Sequence, residues 1–146
     1  MTIDAPWTLD TNVLIYATQP DAPILKQHAA KSLMGELTRS AHARLVGQVM
    51  GEFMRVALRK NVTTRVSVLD LMKNLSHGVM VLGASPGSYQ AAFELVAKHQ
   101  YQVWDALIIA ICAEHGVKTL YSEDAGSLKR PLGVHVINPF AEAEIS

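Results

Sequence analysis

Four carboxylates stand where an acidic side chain can serve either structure or chemistry: Asp10, Glu52, Asp105 and Asp124. Asp10 ends the short apolar run Trp7-Thr8-Leu9 and is followed by Thr11-Asn12 and a second apolar run, the pattern of a strand turning into a helix. Asp124 closes Ser122-Glu123-Asp124 at the end of another apolar run, 117–121. Asp105 enters the most apolar stretch of the chain, 106–115, and Glu52 lies one turn into a helical pattern that begins at Val49. In an open α/β sheet, strand carboxyl ends and the starts of the following helices share the edge where ligands bind, so all four acids can converge there. Unit charges about 5 Å apart repel by roughly 3 kcal/mol per pair at an effective dielectric of 20. Without a cation, at least one acid in such a group is protonated near neutral pH. An all-oxygen donor set suits Mg²⁺ or Mn²⁺ better than Zn²⁺, and such ions hold phosphates and activate water. Thr11, Asn12 and Ser122 are placed to orient the ligands or their waters.

Each acid also has a structural reading. Asp10 or Asn12 can cap the helix that follows, and Asp105 can cap the helix it enters. Glu52 lies about 60° from Val49 around a helix, at the border of the apolar face, where a surface ion pair with Arg55 is worth only a few tenths of a kcal/mol. In the functional reading Arg55 and Arg59, on the same flank, contact a phosphate backbone, with Lys60 and Arg65 as further cations. The six histidines, 28, 42, 77, 99, 115 and 135, are scattered and fit structural or solvated positions. No Ser–His–Asp constellation and no phosphate-binding glycine loop competes with the acids.

The elements that would position these acids alternate. Residues 24–38 read as an amphipathic helix, 43–48 as a strand, 49–60 as a helix, and 65–75 as a helix capped by Thr63 or Thr64. A strand over 79–82 leads to Ser85-Pro86, which suits the start of a helix through His99. The buried helix 106–115 is closed by Gly116, and strands 117–121 and 134–137 complete the set. Strand and helix in alternation predict an α/β domain with a largely parallel sheet. Leu33, Met34 and Leu37, on the second helix, are expected to form part of an apolar patch that supports dimerisation.

The totals bound the rest. The chain has 146 residues, enough for one domain, 1–146, with a substantial core. Thirteen basic residues balance thirteen acidic ones, so overall charge predicts no nucleic-acid partner. Any such partner must be met by a local basic patch or by metal ions. The single Cys112 sits mid-helix as an inert core thiol, and one cysteine fits a reducing compartment. The first residues do not read as a signal peptide, and no apolar run reaches membrane-spanning length, so a cytoplasmic protein is expected.

Taken together, Leu9-Asp10-Thr11-Asn12-Val13-Leu14-Ile15-Tyr16, Gln48-Val49-Met50-Gly51-Glu52-Phe53, Trp104-Asp105-Ala106-Leu107-Ile108 and Tyr121-Ser122-Glu123-Asp124 resemble the PIN domain. Val136-Ile137-Asn138-Pro139-Phe140 is similar to the close of its VapC-like branch, the toxins of type II toxin–antitoxin modules. The resemblance covers essentially the whole chain. It implies a three-layer α/β/α domain with a central, mostly parallel, five-stranded sheet and a Mg²⁺- or Mn²⁺-dependent ribonuclease site. Asp10, Glu52 and Asp105 match the family's three near-constant acids and Asp124 its fourth. Ser122 and Asn12 match its accompanying polar residues, and Glu123 competes with Asp124 for the metal, with Asp124 favoured. The resemblance further implies a homodimer and a cognate antitoxin that fills the acidic groove. Two other readings stand beside it. Leu9-Asp10-Thr11-Asn12-Val13 superficially resembles the nucleophile motif of haloacid-dehalogenase phosphatases, but Asn12 stands where that class needs a second Asp. A non-catalytic PIN-like binding module usually lacks one or more of the acids present here.

Overall fold

In the computed structural model, described over residues 4–59, 65–124 and 126–141, five short parallel strands alternate with six α-helices. Strand β1 (Trp7–Leu9) leads into α1 (Thr11–Thr18) and α2 (Ile24–Arg39); β2 (Arg44–Val46) leads into α3 (Gly47–Arg59) and α4 (Arg65–Gly78). Next come β3 (Met80–Leu82), α5 (Pro86–His99), α6 (Val103–Glu114), β4 (Thr119–Tyr121), a 3-10 turn at Pro131–Gly133 and β5 (His135–Ile137). Lys60, Thr63 and Thr64 lie outside the described residues.

The expected five-stranded sheet forms as two ladders. β1 pairs with β4 and β4 with β5, while β2 pairs with β3, all parallel. The ladders meet at a single parallel bridge between Trp7 and Ala43, where the Trp7 amide donates to the His42 carbonyl at 3.0 Å. Beside it the hydroxyl of fully buried Thr8 donates to the Arg44 carbonyl at 2.6 Å. The strand order is therefore β3-β2-β1-β4-β5, and the chain reverses its direction of travel across the sheet between β1 and β4. That reversal opens a crevice at the strands' carboxyl ends, and it is the place where such folds bind ligands.

Helices α1 to α4 pack against one another and α5 against α6, the two groups expected of an α/β/α domain. The body of α6, from Ala106 to Cys112, is buried throughout and forms the centre of the core with Trp7, Leu9, Phe53 and Phe140. Burial pushes the Cys112 thiol up to about 12, with the charge of Asp10 adding to it, so the thiol is inert as expected. Helix α5 opens as the sequence predicts, with Ser85 and Ser88 forming a reciprocal cap and Pro86 in the first turn.

The dimerisation patch expected on α2 is corrected. Leu33 and Leu37 are buried within the chain and Met34 is partly buried, because α2 folds back on α1 after the Pro20–Pro23 turn and spends its apolar face on the core. No helix among the described residues is long and apolar enough to cross a membrane.

Candidate active site

Asp10 follows β1 at the chain reversal, and its backbone amide donates to the Tyr121 carbonyl of β4 at 2.8 Å, which locks it beside Ser122. It fills both roles that its sequence context allows. One carboxylate oxygen caps α1 by accepting from the Thr11 amide at 2.7 Å, and the other accepts from the Ser122 hydroxyl at 2.8 Å. Only 6% of Asp10 is exposed. Burial raises its pKa and the nearby Glu52 charge raises it further, against the lowering effect of its two hydrogen bonds.

Glu52 reaches the same place from α3. Its oxygens accept from the Thr11 hydroxyl at 2.8 Å and the Gln48 amide at 2.9 Å. The ion pair with Arg55 that the spacing allowed is replaced by these neutral donors, and Thr11 bridges Asp10 and Glu52. Gln48 was read from the sequence as the end of a strand; α3 starts two residues earlier than predicted, at Gly47, and puts Gln48 and Glu52 four residues apart on one helix face.

Asp105 is not a cap. Helix α6 begins at Val103, so Asp105 occupies the first turn and Gln102 the capping position, without a side-chain cap bond. Half-buried there, its carboxyl is pushed up to about 6 by burial first and then by the charges of Asp10, Asp124 and Glu52. Asp105 therefore feels the charge of each of the other three acids, and Asp10 feels that of Glu52. Asp124 is exposed.

Glu123 is turned away from this group. Its carboxylate accepts from the Tyr16 hydroxyl at 2.9 Å and pairs with Lys26 at 2.8 Å, and the Lys26 ammonium also lies 5.2 Å from the centre of the Tyr16 ring. Of the two acids that competed for the site, Asp124 is the one whose charge acts on Asp105.

The crevice continues into an open groove of about 650 Å³ whose walls include Thr11, Gln48, Glu52, Arg55, Trp104 and Asp105. Arg55 therefore reaches the groove, whereas Arg59, a turn further along α3, is exposed beyond its lining. Tyr89 and Gln102 also line it. Sequence reasoning passed over Tyr89 and Trp104; the position of Trp104 immediately before Asp105 was the available signal.

Among the described residues, no three His, Cys, Asp or Glu side chains are gathered closely enough to hold a metal ion as they stand. By donor chemistry the site nevertheless fits a hard divalent cation. Its donors are carboxylate oxygens, and among the described residues the desolvated Asp10 has no cationic partner and the buried Asn12 Oδ1, two residues further on, has no hydrogen-bond partner.

A family model described as the PIN domain matches residues 8–131 of the chain. No curated protein is matched by the sequence. Among solved structures, VapC20 of Mycobacterium tuberculosis, a sarcin-ricin loop cleaving toxin, superposes with a TM-score of 0.66 at 21% identity over 81% of this chain and 89% of that one. FitAcB of Neisseria gonorrhoeae gives 0.65 at 20% over 92% and 99%, and a toxin–antitoxin complex from Klebsiella pneumoniae gives 0.63 at 15% over 90% and 96%. At these identities the structural likeness establishes the shared fold.

Proposed function

The chain belongs to the PIN-domain family, and from that premise we propose that it is a divalent-metal-dependent endoribonuclease that acts as the toxin of a toxin–antitoxin pair. The observation that carries this reading is the joining of Asp10 and Glu52 through Thr11, with Glu52 and Asp105 on one groove lining and the Asp105 carboxyl raised by burial first and then by the charges of Asp10, Asp124 and Glu52. A carboxylate group of this kind is electrostatically unfavourable by itself and becomes favourable around a cation.

Asp10, Glu52, Asp105 and Asp124 would hold Mg²⁺ or Mn²⁺, and Asn12 offers a further oxygen. When bound, the ion supplies Lewis acidity and neutralises charge on the phosphodiester. The chain's own residues set the stage. Ser122 and Thr11 fix the two oxygens of Asp10, Thr11 and Gln48 fix those of Glu52, and Arg55 offers a guanidinium to a non-bridging phosphate oxygen on the groove wall.

The toxin assignment draws on the solved relatives, of which one is a sarcin-ricin loop cleaving toxin and another a toxin–antitoxin complex. An antitoxin that occupies the acidic groove fits the same reading. So does a homodimer, although its interface must lie away from the buried Leu33 and Leu37.

The decisive experiment incubates purified protein with a mixed tRNA and rRNA pool in Mg²⁺, in Mn²⁺ and in EDTA, beside an Asp10→Asn control. Cleavage that requires the ion and disappears in the variant supports the nuclease. Equal inactivity of wild type and variant on every RNA sinks it, and a small phosphate ester would then be tried.

A further inference from the structure

The groove presents an electrostatic problem to any RNA. The chain carries no net charge, the carboxylates repel phosphates, and Arg55 is the cation on the lining among the described residues. Affinity for a polyanion must then draw on contacts that do not depend on charge. Two such contacts stand in the groove wall. Trp104 is 60% exposed although it precedes the most deeply buried helical segment in the fold, and Tyr89, on the adjoining α5 and on the same groove lining, is 46% exposed. Neither ring stacks on another aromatic ring or on a cation among the described residues, unlike Tyr16, which packs edge-on against Phe140 and beneath Lys26.

We infer that Trp104 and Tyr89 form a stacking subsite for unpaired RNA bases beside the acidic crevice. The inference rests on the nuclease reading and deepens it by naming the feature that selects substrate. Every base has a π face and an aromatic side chain accepts any of them, so the subsite discriminates by strandedness and not by sequence. A base inside a duplex hides its faces against its neighbours and cannot reach the rings without being unstacked. Trp104 lies next to Asp105 in the chain, so a base seated on it holds the adjoining phosphate near the carboxylates. The amide group of Gln102 on the groove lining supplies hydrogen bonds to base edges.

The chain is built for a clean test. Its two tryptophans are Trp104 and Trp7, and Trp7 is buried in the core at 1% exposure. Quenching of emission by acrylamide therefore reports Trp104. The experiment titrates Asp10→Asn protein, which leaves the RNA intact, with a single-stranded oligoribonucleotide of about eight residues and with the same sequence as a duplex. Expected are quenching of Trp104 by the single strand, its protection from acrylamide, and affinity for the duplex weaker by about ten-fold or more. Trp104→Ala should weaken single-strand binding by about ten-fold, while Trp104→Phe, which keeps a π face, should retain most of it.

Equal binding by Trp104→Ala, or equal affinity for duplex and single strand, would overturn the inference. So would protection of Trp104 by self-association alone, seen as a concentration-dependent mass in sedimentation without RNA. The readout is binding, so the two readings fail separately. Stacking without cleavage by wild-type protein sinks the nuclease and leaves the subsite; cleavage that is indifferent to Trp104→Ala sinks the subsite and leaves the nuclease.

Discussion

Asp10 and Glu123 follow neighbouring parallel strands and stand at the same edge of the sheet, yet they do opposite things. Glu123 is paired with the Lys26 ammonium and the Tyr16 hydroxyl, so its charge is met and the three side chains tie α1, α2 and the end of β4 together. Asp10 is the more buried, receives hydrogen bonds from the neutral Thr11 amide and Ser122 hydroxyl, and has acids for charged neighbours. A carboxylate that already owns a cation is part of the scaffold. One held in place by neutral donors, with other acids for charged neighbours, has the donor chemistry that suits a cation, and its neighbours orient it without neutralising it.

The sharpest way to break this contrast is to neutralise each acid in turn. Asp10→Asn should lower RNA cleavage by at least about a hundred-fold, since a direct ligand matters more than the outer partners whose loss alone typically removes 10–100-fold. Glu123→Gln should leave cleavage within about three-fold. The stabilities should move the other way. Without metal, Asp10→Asn relieves a buried charge and should raise the melting temperature, whereas Glu123→Gln, which leaves Lys26 facing a neutral amide, should lower it. Thermal melts in EDTA check the second half, and a destabilised Asp10→Asn with full activity would dissolve the distinction.

Asp105 sharpens the same comparison by pH. Its folded pKa of about 6 lies above the ordinary value of 3.8, so the folded state holds that proton more tightly than the unfolded chain. The stability this contributes is fully present below pH 3.8 and is lost as pH rises through about 6. For a fully buried group the effect would be about 3 kcal/mol; solvent screening at the half-buried Asp105 leaves about 1–2 kcal/mol. Urea titrations in EDTA should therefore show wild type losing stability relative to Asp105→Asn between pH 4 and 7, and saturating Mg²⁺ should remove that difference in slope. Parallel curves without metal would mean that the four charges do not share one site.

Much of this was legible in the sequence because strand ends and helix starts leave local marks. Trp7-Thr8-Leu9-Asp10 and the run before Ser122 announce where the sheet stops, and alternation of elements places those stops on one edge. Partners distant in sequence leave no such mark. Nothing near Glu123 pointed to Lys26, 97 residues away, or to Tyr16, 107 away. Helix starts were also misplaced where no capping side chain signalled them. Gln102 caps α6 without a side-chain bond, so the sequence places the helix start at Ala106, with Asp105 as a possible cap. Leu33 and Leu37 mark an apolar face equally well whether it meets α1 or a second molecule, because periodicity reports that a face is buried and not by what.

The smallest effect tests whether Glu123 is scaffold alone. The Lys26–Glu123 pair is partly buried, with side chains 20% and 25% exposed, so its coupling should exceed that of a free surface pair only modestly. A double-mutant cycle through Lys26→Met and Glu123→Gln should return about 0.5–1 kcal/mol. Tyr16 reads the same pair. Burial raises its hydroxyl pKa and the bond to Glu123 raises it further, so Glu123→Gln should lower the Tyr16 titration while leaving cleavage unchanged. Were cleavage to fall together with that titration, Glu123 would be acting on the crevice through the Ser122 backbone, and the boundary between scaffold and site would have to be redrawn to include it.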